Sequence, residues 1–449
     1  MRPAAVHALG AGTTVRATVS ADGGDPDGDS SRAALSADGH VAVFASSARN
    51  LVPGPGGPGA GPTHVFWRDL VHHVTRQVDV DATGSQPDGP ATLPAVSADG
   101  RYVVFQSAAT NLVPGGTRAG ADVYRRDMVA GATMLVSVSA TGGEANGFST
   151  RPSVSGDGRY VAFNSSATNL IPNAPASPAS GGGTQVYVRD LVAGTTVRVA
   201  PTAGGSADDV SLRPDISGDG HYLTFVSDAT NLVPGTTDAN GERDVYRFDR
   251  LAGAVQRVSV SATGGDANGA STRPAISADG RYVVFQSNAS DLISGDTNHQ
   301  TDVFRRDMVT GSTIRVSVSA TGAQLNAAST RGAVNTDGRY VAFASNDTQV
   351  VGGDHNHSRD VFIRDLAAHT TTRVSAAPTG GDGLGCHTAT TPPGTAVPLA
   401  RSGAPDISTR PSLSADGHTV LFVSSFCNLV PGDSSNVNQV FVRTYPPSS

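Results

Sequence analysis

The sequence predicts an all-β fold, a seven-bladed β-propeller with four antiparallel strands in each blade, and three observations carry that prediction. One phrase, STRPSVSGDGRYVAFNSSATNL at residues 149–170, recurs in seven versions spaced by about 60 residues. Six of the versions contain four short runs of apolar, β-branched or aromatic residues separated by turn-forming residues. The seventh version ends after its third run, and the chain begins with a single run of the fourth type. Such a pattern is typical of a propeller.

The elements follow in a fixed order within each repeat. In the copy that starts at residue 149, TRPSVS is a short strand, GDG is a tight turn in which glycine supplies a positive φ, and RYVAFNS is a second strand. A long loop leads to QVYVRDL, the third strand, and the turn VAGTT leads to VRVAPT, the fourth. A single four-stranded sheet cannot bury both of its faces, so the repeats must pack against one another in a closed ring.

We expect one domain over residues 1–449. The run at residues 13–20 should complete blade seven as its fourth strand, which removes the open edges of the ring. The blades are expected at approximately residues 30–80, 91–139, 149–200, 210–260, 271–319, 329–375 and 408–445, and residues 376–408 form an insertion before blade seven.

The repeat also resembles that of a known family. The residues RPSVSGDGRYVAFNS, followed by VYVRDLVAGTTVRV, are similar to the repeat of TolB-like (WD40-like) β-propeller proteins, whose blades carry a Pro-x-x-Ser-x-Asp-Gly-(Lys/Arg) core before an apolar strand. The resemblance covers nearly the whole chain and implies the propeller fold. It leaves the function open, because such propellers serve as periplasmic binding proteins, as accessory domains of enzymes and, less often, as enzymes.

Composition limits the partners and the location. Charged residues make up 16% of the chain and the net charge is −7, which argues against a nucleic-acid-binding surface. No apolar run approaches the roughly 18 residues of a transmembrane segment. The start of the chain has no apolar core of a signal peptide. The two cysteines nevertheless favour export to the cell envelope or the extracellular space; a cytoplasmic protein is the alternative, and we expect a monomer.

Strand directions assign the loops to the two faces of the disc. If the first strand of each blade runs from one face to the other, the long loops between second and third strands and the connections between blades share one face, the long-loop face. The Asp-Gly turns then lie on the opposite face, the turn face. Binding sites usually occupy loops held by a rigid scaffold, so we expect the site on the long-loop face, at the mouth of the central channel.

The two cysteines are also assigned to the long-loop face. Cys386 belongs to the insertion, and Cys427 belongs to the long loop of blade seven. We predict a disulfide between them that fixes the insertion, which would require an oxidising compartment. The alternative is two independent reduced thiols.

Three long loops share the spacing Asp-x-Asn-x-x-x-Asp. Alternating oxygen ligands closed by a further carboxylate suit Ca²⁺, so calcium is the one cofactor that the sequence suggests. The alternative is that these residues stabilise turns through side-chain hydrogen bonds to the backbone. The residues concerned are Asp238, Asn240 and Asp244, then Asp296, Asn298 and Asp302, and finally Asp354, Asn356 and Asp360.

Arginine recurs at one position near the start of the first strand, which should line the channel. Six guanidinium groups at the channel mouth could bind an anion or a carboxylated ligand. The alternative, which the repetition favours, is buried pairing with the aspartates that end the third strands. The arginines are Arg32, Arg151, Arg213, Arg273, Arg331 and Arg410, with Leu93 in blade two; the aspartates are Asp69, Asp127, Asp190, Asp249, Asp307 and Asp365.

No catalytic residue is predicted. The chain has neither a Gly-x-Ser-x-Gly elbow nor a His-Glu-x-x-His motif. Our leading hypothesis is a non-catalytic recognition scaffold that binds a protein or a glycan on the long-loop face and at the channel mouth. Two alternatives belong to other classes: a propeller hydrolase or lyase that acts on a saccharide or secondary metabolite, and a structural protein of the cell envelope.

Overall fold

The computed structural model describes residues 9–53, 62–115, 120–172, 183–199, 207–236, 238–384, 408–435 and 437–446. Within these ranges all regular secondary structure is β, and none of it is a helix that could cross a membrane. The strands form seven antiparallel four-stranded sheets. The prediction of an all-β, seven-bladed propeller is confirmed.

The strands are numbered in chain order. Blade one contains β2 (Ser30–Leu35), β3 (Val41–Ser46), β4 (His64–Asp69) and β5 (Val74–Gln77); blade two contains β6 (Ala91–Val96), β7 (Tyr102–Ser107), β8 (Asp122–Asp127) and β9 (Ala132–Leu135). Blade three contains β10 (Ser149–Val154), β11 (Tyr160–Ser165), β12 (Gln185–Asp190) and β13 (Thr195–Arg198); blade four contains β14 (Ser211–Ile216), β15 (Tyr222–Ser227), β16 (Asp244–Asp249) and β17 (Ala254–Arg257). Blade five contains β18 (Ser271–Ile276), β19 (Tyr282–Ser287), β20 (Asp302–Asp307) and β21 (Thr313–Arg315); blade six contains β22 (Ser329–Val334), β23 (Tyr340–Ser345), β24 (Asp360–Asp365) and β25 (Thr370–Arg373). Blade seven contains β26 (Ser408–Leu413), β27 (Thr419–Ser424) and β28 (Gln439–Thr444), completed by β1 (Thr13–Arg16).

The N-terminal strand closes the ring, as predicted. β1 pairs with β28 in the register Thr13 to Thr444 and Arg16 to Phe441. The strand is shorter than the predicted residues 13–20, because regular pairing stops at Arg16. Beyond it the Ala17 N–H still donates to the Val440 carbonyl over 2.8 Å, so the two ends of the chain stay joined.

An aromatic pair forms the centre of each blade. A phenylalanine of the second strand stacks on an aromatic ring of the third strand, as Phe163 does on Tyr187 with 6.0 Å between ring centroids. Both residues are buried, and each blade contributes them to apolar clusters that continue into the next blade. Packing between blades therefore supplies the buried face that an isolated sheet would lack.

The Asp-Gly turns are structural. In blade three the Ser155 hydroxyl donates to Asp157 over 2.5 Å, and Asp157 accepts the Arg159 N–H over 3.0 Å. Gly158 has a φ of 72°, and a Cβ there would lie 2.2 Å from the ring of Tyr102 in the preceding blade. Glycine is therefore required both by the turn and by the close approach of two blades.

The central channel has two parts along the propeller axis. At the turn face, backbone hydrogen bonds join the inner strands of neighbouring blades, such as Gly156 N–H to the Gly218 carbonyl at 2.8 Å. Small and apolar residues line a cavity of about 220 Å³ there. At the long-loop face the channel opens into a cavity of about 350 Å³. The wider part is the only one of the two that arginines line.

Candidate anion-binding site at the channel mouth

The predicted ring position has an unusual backbone conformation in all seven blades. A non-glycine residue there adopts a positive φ between 53° and 59°, a left-handed region that costs an L-residue of the order of 1–3 kcal/mol. No blade uses glycine, although glycine would relieve the strain. The seven residues are Arg32, Leu93, Arg151, Arg213, Arg273, Arg331 and Arg410.

A bulge in each inner strand produces this conformation. In blade three the pairing of β10 with β11 shifts register between Thr150 and Ser153, which places Arg151 at the bulge. Side-chain amides of the preceding blade support three of the seven bulges: Gln106 accepts the Arg151 N–H at 3.4 Å, and Asn164 accepts the Arg213 N–H at 3.1 Å. The third, Gln286, accepts the Arg331 N–H at 3.2 Å. These contacts fix the backbone and leave the guanidinium groups free to face the channel.

The bulges bring the arginines together. Arg32, Arg151, Arg213, Arg273 and Arg410 line the cavity of about 350 Å³ at the channel mouth, together with Leu93 and the prolines that follow most of these positions. For the sixth, Arg331, the next two residues line the same cavity. All six side chains are half-buried. Five of the six predicted arginines therefore line one cavity.

The six guanidinium groups have no carboxylate partner among the described residues. Burial, followed by the charges of Arg331 and Arg32, lowers the pKa of Arg410 to about 9. Burial, followed by the charges of Arg273 and Arg359, lowers the pKa of Arg331 to about 10. The arginines thus destabilise one another's charged forms, and a bound anion would relieve that repulsion.

The favoured alternative, pairing with the third-strand aspartates, is wrong. Five of those aspartates pair on the turn face with the residue that follows an Asp-Gly, for example Arg159 with Asp190 at 2.7 Å and His221 with Asp249 at 2.9 Å, and Asp69 pairs with His72 of its own turn at 2.8 Å. The third strand ends at the turn face, whereas the inner strand begins at the long-loop face. The two sets of side chains therefore lie at opposite ends of the blades.

One acidic residue, Asp215 of blade four, does line the cavity. Its carboxylate accepts the Ser153 hydroxyl at 3.0 Å and the Ile276 N–H at 3.0 Å, so it bridges blades three and five. Burial raises the pKa of Asp215. Sequence reasoning missed this residue, although it is the only charged residue at that position of the repeat; the other blades have alanine or serine.

The three acidic loops each enclose an arginine of the fourth strand. Arg315 lies 3.0 Å from Asp296 and 3.5 Å from Asp302. Arg257 contacts Asp238, Asp244 and Asp266, and Arg373 contacts Asp354, Asp360 and Asp382.

The asparagines of these loops hold backbone groups. Asn240, Asn298 and Asn356 donate to carbonyls of the following connection. No cluster of three or more histidine, cysteine or acidic residues suited to a metal occurs in the described ranges. As placed, these carboxylates pair with a guanidinium, which would compete with the Ca²⁺ that the sequence suggested; calcium binding itself is untested.

The predicted disulfide falls partly outside the described residues, because Cys386 is not among them. Cys427 is described, and it lies beside the start of the insertion: its N–H donates to the Leu384 carbonyl at 2.9 Å. Asn428 also contacts this segment, donating to the Asp382 carbonyl at 2.8 Å. The loop of blade seven therefore holds the first residues of the insertion, while the disulfide stays a prediction.

Comparisons with known proteins establish the fold. No protein-family model and no curated protein matches the chain. Oligogalacturonate lyase in complex with manganese is similar over 98% of this chain and 99% of that one, with 13% identity and a TM-score of 0.53. The β-propeller domain of the Trilobed protease from Pyrococcus furiosus, which has an open velcro topology, is similar over 93% and 97%, with 8% identity and a TM-score of 0.52.

TolB from Acinetobacter baumannii also matches, with 18% identity and a TM-score of 0.38 over 69% of this chain. The chain spans 58% of the length of that TolB structure. At these identities the likeness concerns architecture alone. The fold that the resemblance to TolB-like repeats implied is confirmed, and the fold and site together define a closed seven-bladed β-propeller with a basic channel mouth.

Proposed function

We propose that the protein is a non-catalytic recognition scaffold that binds an anionic group of a protein or glycan ligand at the channel mouth, on the long-loop face. One observation carries the proposal: five of the six ring arginines line one cavity, and none of the six has a carboxylate partner among the described residues. Arginine binds carboxylates and phosphates through two parallel hydrogen bonds, which suits such a role.

Two destabilising features of the ring, backbone strain and charge repulsion, support a role in binding. Each ring residue keeps a strained left-handed backbone where glycine would be relaxed. The charges of neighbouring ring arginines also lower the pKa of Arg151, Arg213 and Arg273 in addition to the effect of burial. Local strain of this kind concentrates at functional sites, where the surrounding structure maintains it.

The proposal also concerns the loops around the site, the disulfide and the location of the protein. By their order along the chain, the long loops and the insertion belong to the long-loop face, and we propose that they contact the rest of the ligand. We also propose an exported, monomeric protein in which the Cys386–Cys427 disulfide fixes the insertion. A disulfide of this kind requires an oxidising compartment.

Isothermal titration calorimetry of the full chain tests the proposal. The probes are a uronic-acid oligosaccharide and a glutamate-rich peptide, each at low and at high salt. We expect at least one probe to bind, and the triple variant Arg213→Gln/Arg273→Gln/Arg410→Gln to bind it at least about tenfold more weakly.

A matched control removes the same kind of charge elsewhere. Arg76→Gln lies on the exposed outermost strand of blade one and should leave the affinity unchanged. The proposal fails if neither probe binds the wild-type protein, or if the triple variant binds as tightly as the wild type.

A further inference from the structure

The arginine ring is uneven. Four consecutive blades, five, six, seven and one, supply Arg273, Arg331, Arg410 and Arg32, which we call the basic arc. Blade two interrupts the ring with the apolar Leu93, and blade four places the carboxylate of Asp215 in the cavity. Positive charge is therefore concentrated on one side of the channel mouth.

A second position reinforces the asymmetry. Blades four and six each place an arginine just before the third strand. Arg243 in blade four is neutralised by Asp228, with 2.7 Å from Nε to Oδ1. Its counterpart, Arg359 in blade six, meets the uncharged Asn346 instead, with 2.9 Å from Nε to the amide oxygen. Among the described residues Arg359 thus has no carboxylate partner, which adds a positive charge on the side of the basic arc.

The electrostatic effects follow this geometry. Besides burial, the charge of Arg359 contributes to lowering the pKa of Arg273 and of Arg331. The pKa is lowered most for Arg331 and Arg410, and these are the two arginines at the centre of the arc. Because several arginines contribute to each of these pKa shifts, a ligand with several negative charges would offset more of the repulsion than a singly charged one.

We propose that the basic arc and Arg359 bind a compact polyanion, a cluster of phosphoryl or carboxyl groups that carries at least three negative charges. This inference rests on the proposed function and names the chemistry of its ligand. The cavity of about 350 Å³ admits a small cluster. The opposite side, with Leu93 and Asp215, receives the uncharged part of the ligand, and the Asp215 carboxyl has lone pairs left for a hydroxyl donor.

Calorimetry with inorganic pyrophosphate, citrate and acetate at equal ionic strength tests the inference on the full chain. We expect pyrophosphate or citrate to bind at least about tenfold more tightly than acetate. Pyrophosphate binding alone would assign phosphoryl groups, and citrate binding alone would assign carboxyl groups.

Single substitutions test whether the polyanion binds on the side of the basic arc. Arg410→Gln and Arg359→Gln should each weaken polyanion binding about tenfold, whereas Arg151→Gln, across the ring, should weaken it less than about threefold. Arg76→Gln on the outer strand is the matched control. The melting temperature of each ligand-free variant shows that it is folded, and removing a charge from the arc should not lower it.

Three results would overturn the inference while leaving the proposed function intact. One is acetate binding as tightly as both polyanions. Another is an equal loss of affinity in Arg151→Gln and Arg410→Gln, which would indicate a symmetric ring. If the polyanions do not bind but the uronic-acid oligosaccharide or the glutamate-rich peptide does, the inference again fails alone; if no anion binds, both proposals fail.

Discussion

The guanidinium of Arg101 forms a two-pronged ion pair with the carboxylate of Asp127, with 3.1 Å from Nε to Oδ1 and 2.7 Å from Nη2 to Oδ2. Asp127 also accepts the backbone N–H groups of Val129 and Ala130 in the following turn. The arrangement recurs in blades three, five and six. The third-strand aspartates therefore complete the turn face of the propeller, which leaves the arginines of the channel mouth to other partners.

This ion pair should make stability depend on acid. The hydrogen bond from Arg101, helped by the turn N–H groups, lowers the pKa of Asp127 to about 2. A carboxyl with a depressed folded pKa stabilises the protein above its unfolded pKa, and that contribution disappears as the pH falls through the folded pKa. Arg101→Gln should reduce stability at neutral pH and make the decline between about pH 4 and about pH 2 shallower.

Urea unfolding followed by circular dichroism at several pH values measures this effect. Arg76→Gln, which removes a charge from the outer strand of the neighbouring blade, provides the comparison. Identical pH profiles for the wild type and Arg101→Gln would show that the pair does not act through Asp127.

The fold could be predicted because the information for each blade is local and repeated. Ser155, Asp157 and Gly158 complete one turn within four residues, and the same residues mark the turn in other blades. The end of β1 could not be predicted, since it depends on β28 at the other end of the chain. There the Val440 N–H bonds to the Thr18 hydroxyl at 3.1 Å instead of to a backbone carbonyl.

Only part of the site could be predicted from the sequence. The repeat identifies the ring position, because six copies have arginine and one has Leu93. It says nothing about the left-handed backbone, since an Arg-Pro pair gives no glycine signal for a positive φ. Nor does the spacing of an acidic loop reveal that Arg373, contributed by the next strand, lies among its carboxylates.

Histidines replace glycine at several left-handed positions. His73 and His369, with φ of 59° and 55°, occupy the turn between third and fourth strands where Gly131 and Gly311 have φ of 65° and 72°. His369→Gly should raise the free energy of unfolding by about 0.5–1 kcal/mol, because glycine has no Cβ penalty there. Urea unfolding measures it, and Gly131→His should show the opposite sign. Destabilisation by His369→Gly would mean that the imidazole makes a contact worth more than the strain.

Asp360 should make the folded protein less stable as the pH rises. Burial, with the charge of Asp354 adding to it, raises the pKa of Asp360 to about 7 despite the opposing effects of Ser375 and Arg373. A carboxyl with a raised folded pKa binds its proton more tightly in the native state, so stability falls between the unfolded and folded pKa values. Asp360→Asn should reduce the decline between about pH 4 and about pH 7 by roughly 1–3 kcal/mol. Asp209→Asn, at an exposed loop position, is the control, and an undiminished decline in Asp360→Asn would exclude this carboxyl as the source.

Adding or removing calcium tests whether an arginine or Ca²⁺ is the native cation of the acidic loops. Because Arg373 lies 2.7 Å from Asp382 and close to two further carboxylates, we expect neither CaCl₂ nor EDTA to change the melting temperature of the wild type. Arg373→Gln should cost about 3–5 kcal/mol, since it leaves buried carboxylates unpaired. Millimolar Ca²⁺ should then restore part of that loss, as measured by differential scanning calorimetry. A fall in the wild-type melting temperature on adding EDTA would instead support calcium as the native cation.

We expect the arginines of the channel mouth to favour anion binding and to lower the stability of the fold. Arg410→Gly removes a strained left-handed side chain and one of several repelling charges, so it should raise the free energy of unfolding by about 1 kcal/mol. Leu93→Gly relieves the same backbone strain without changing the charge, so it should stabilise less. Anion binding, measured by calorimetry, should weaken in Arg410→Gly and persist in Leu93→Gly. If Arg410→Gly were instead the more destabilised of the two, the arginine would be a structural residue of the ring, since only a stabilising contact of its side chain could outweigh both strain and repulsion.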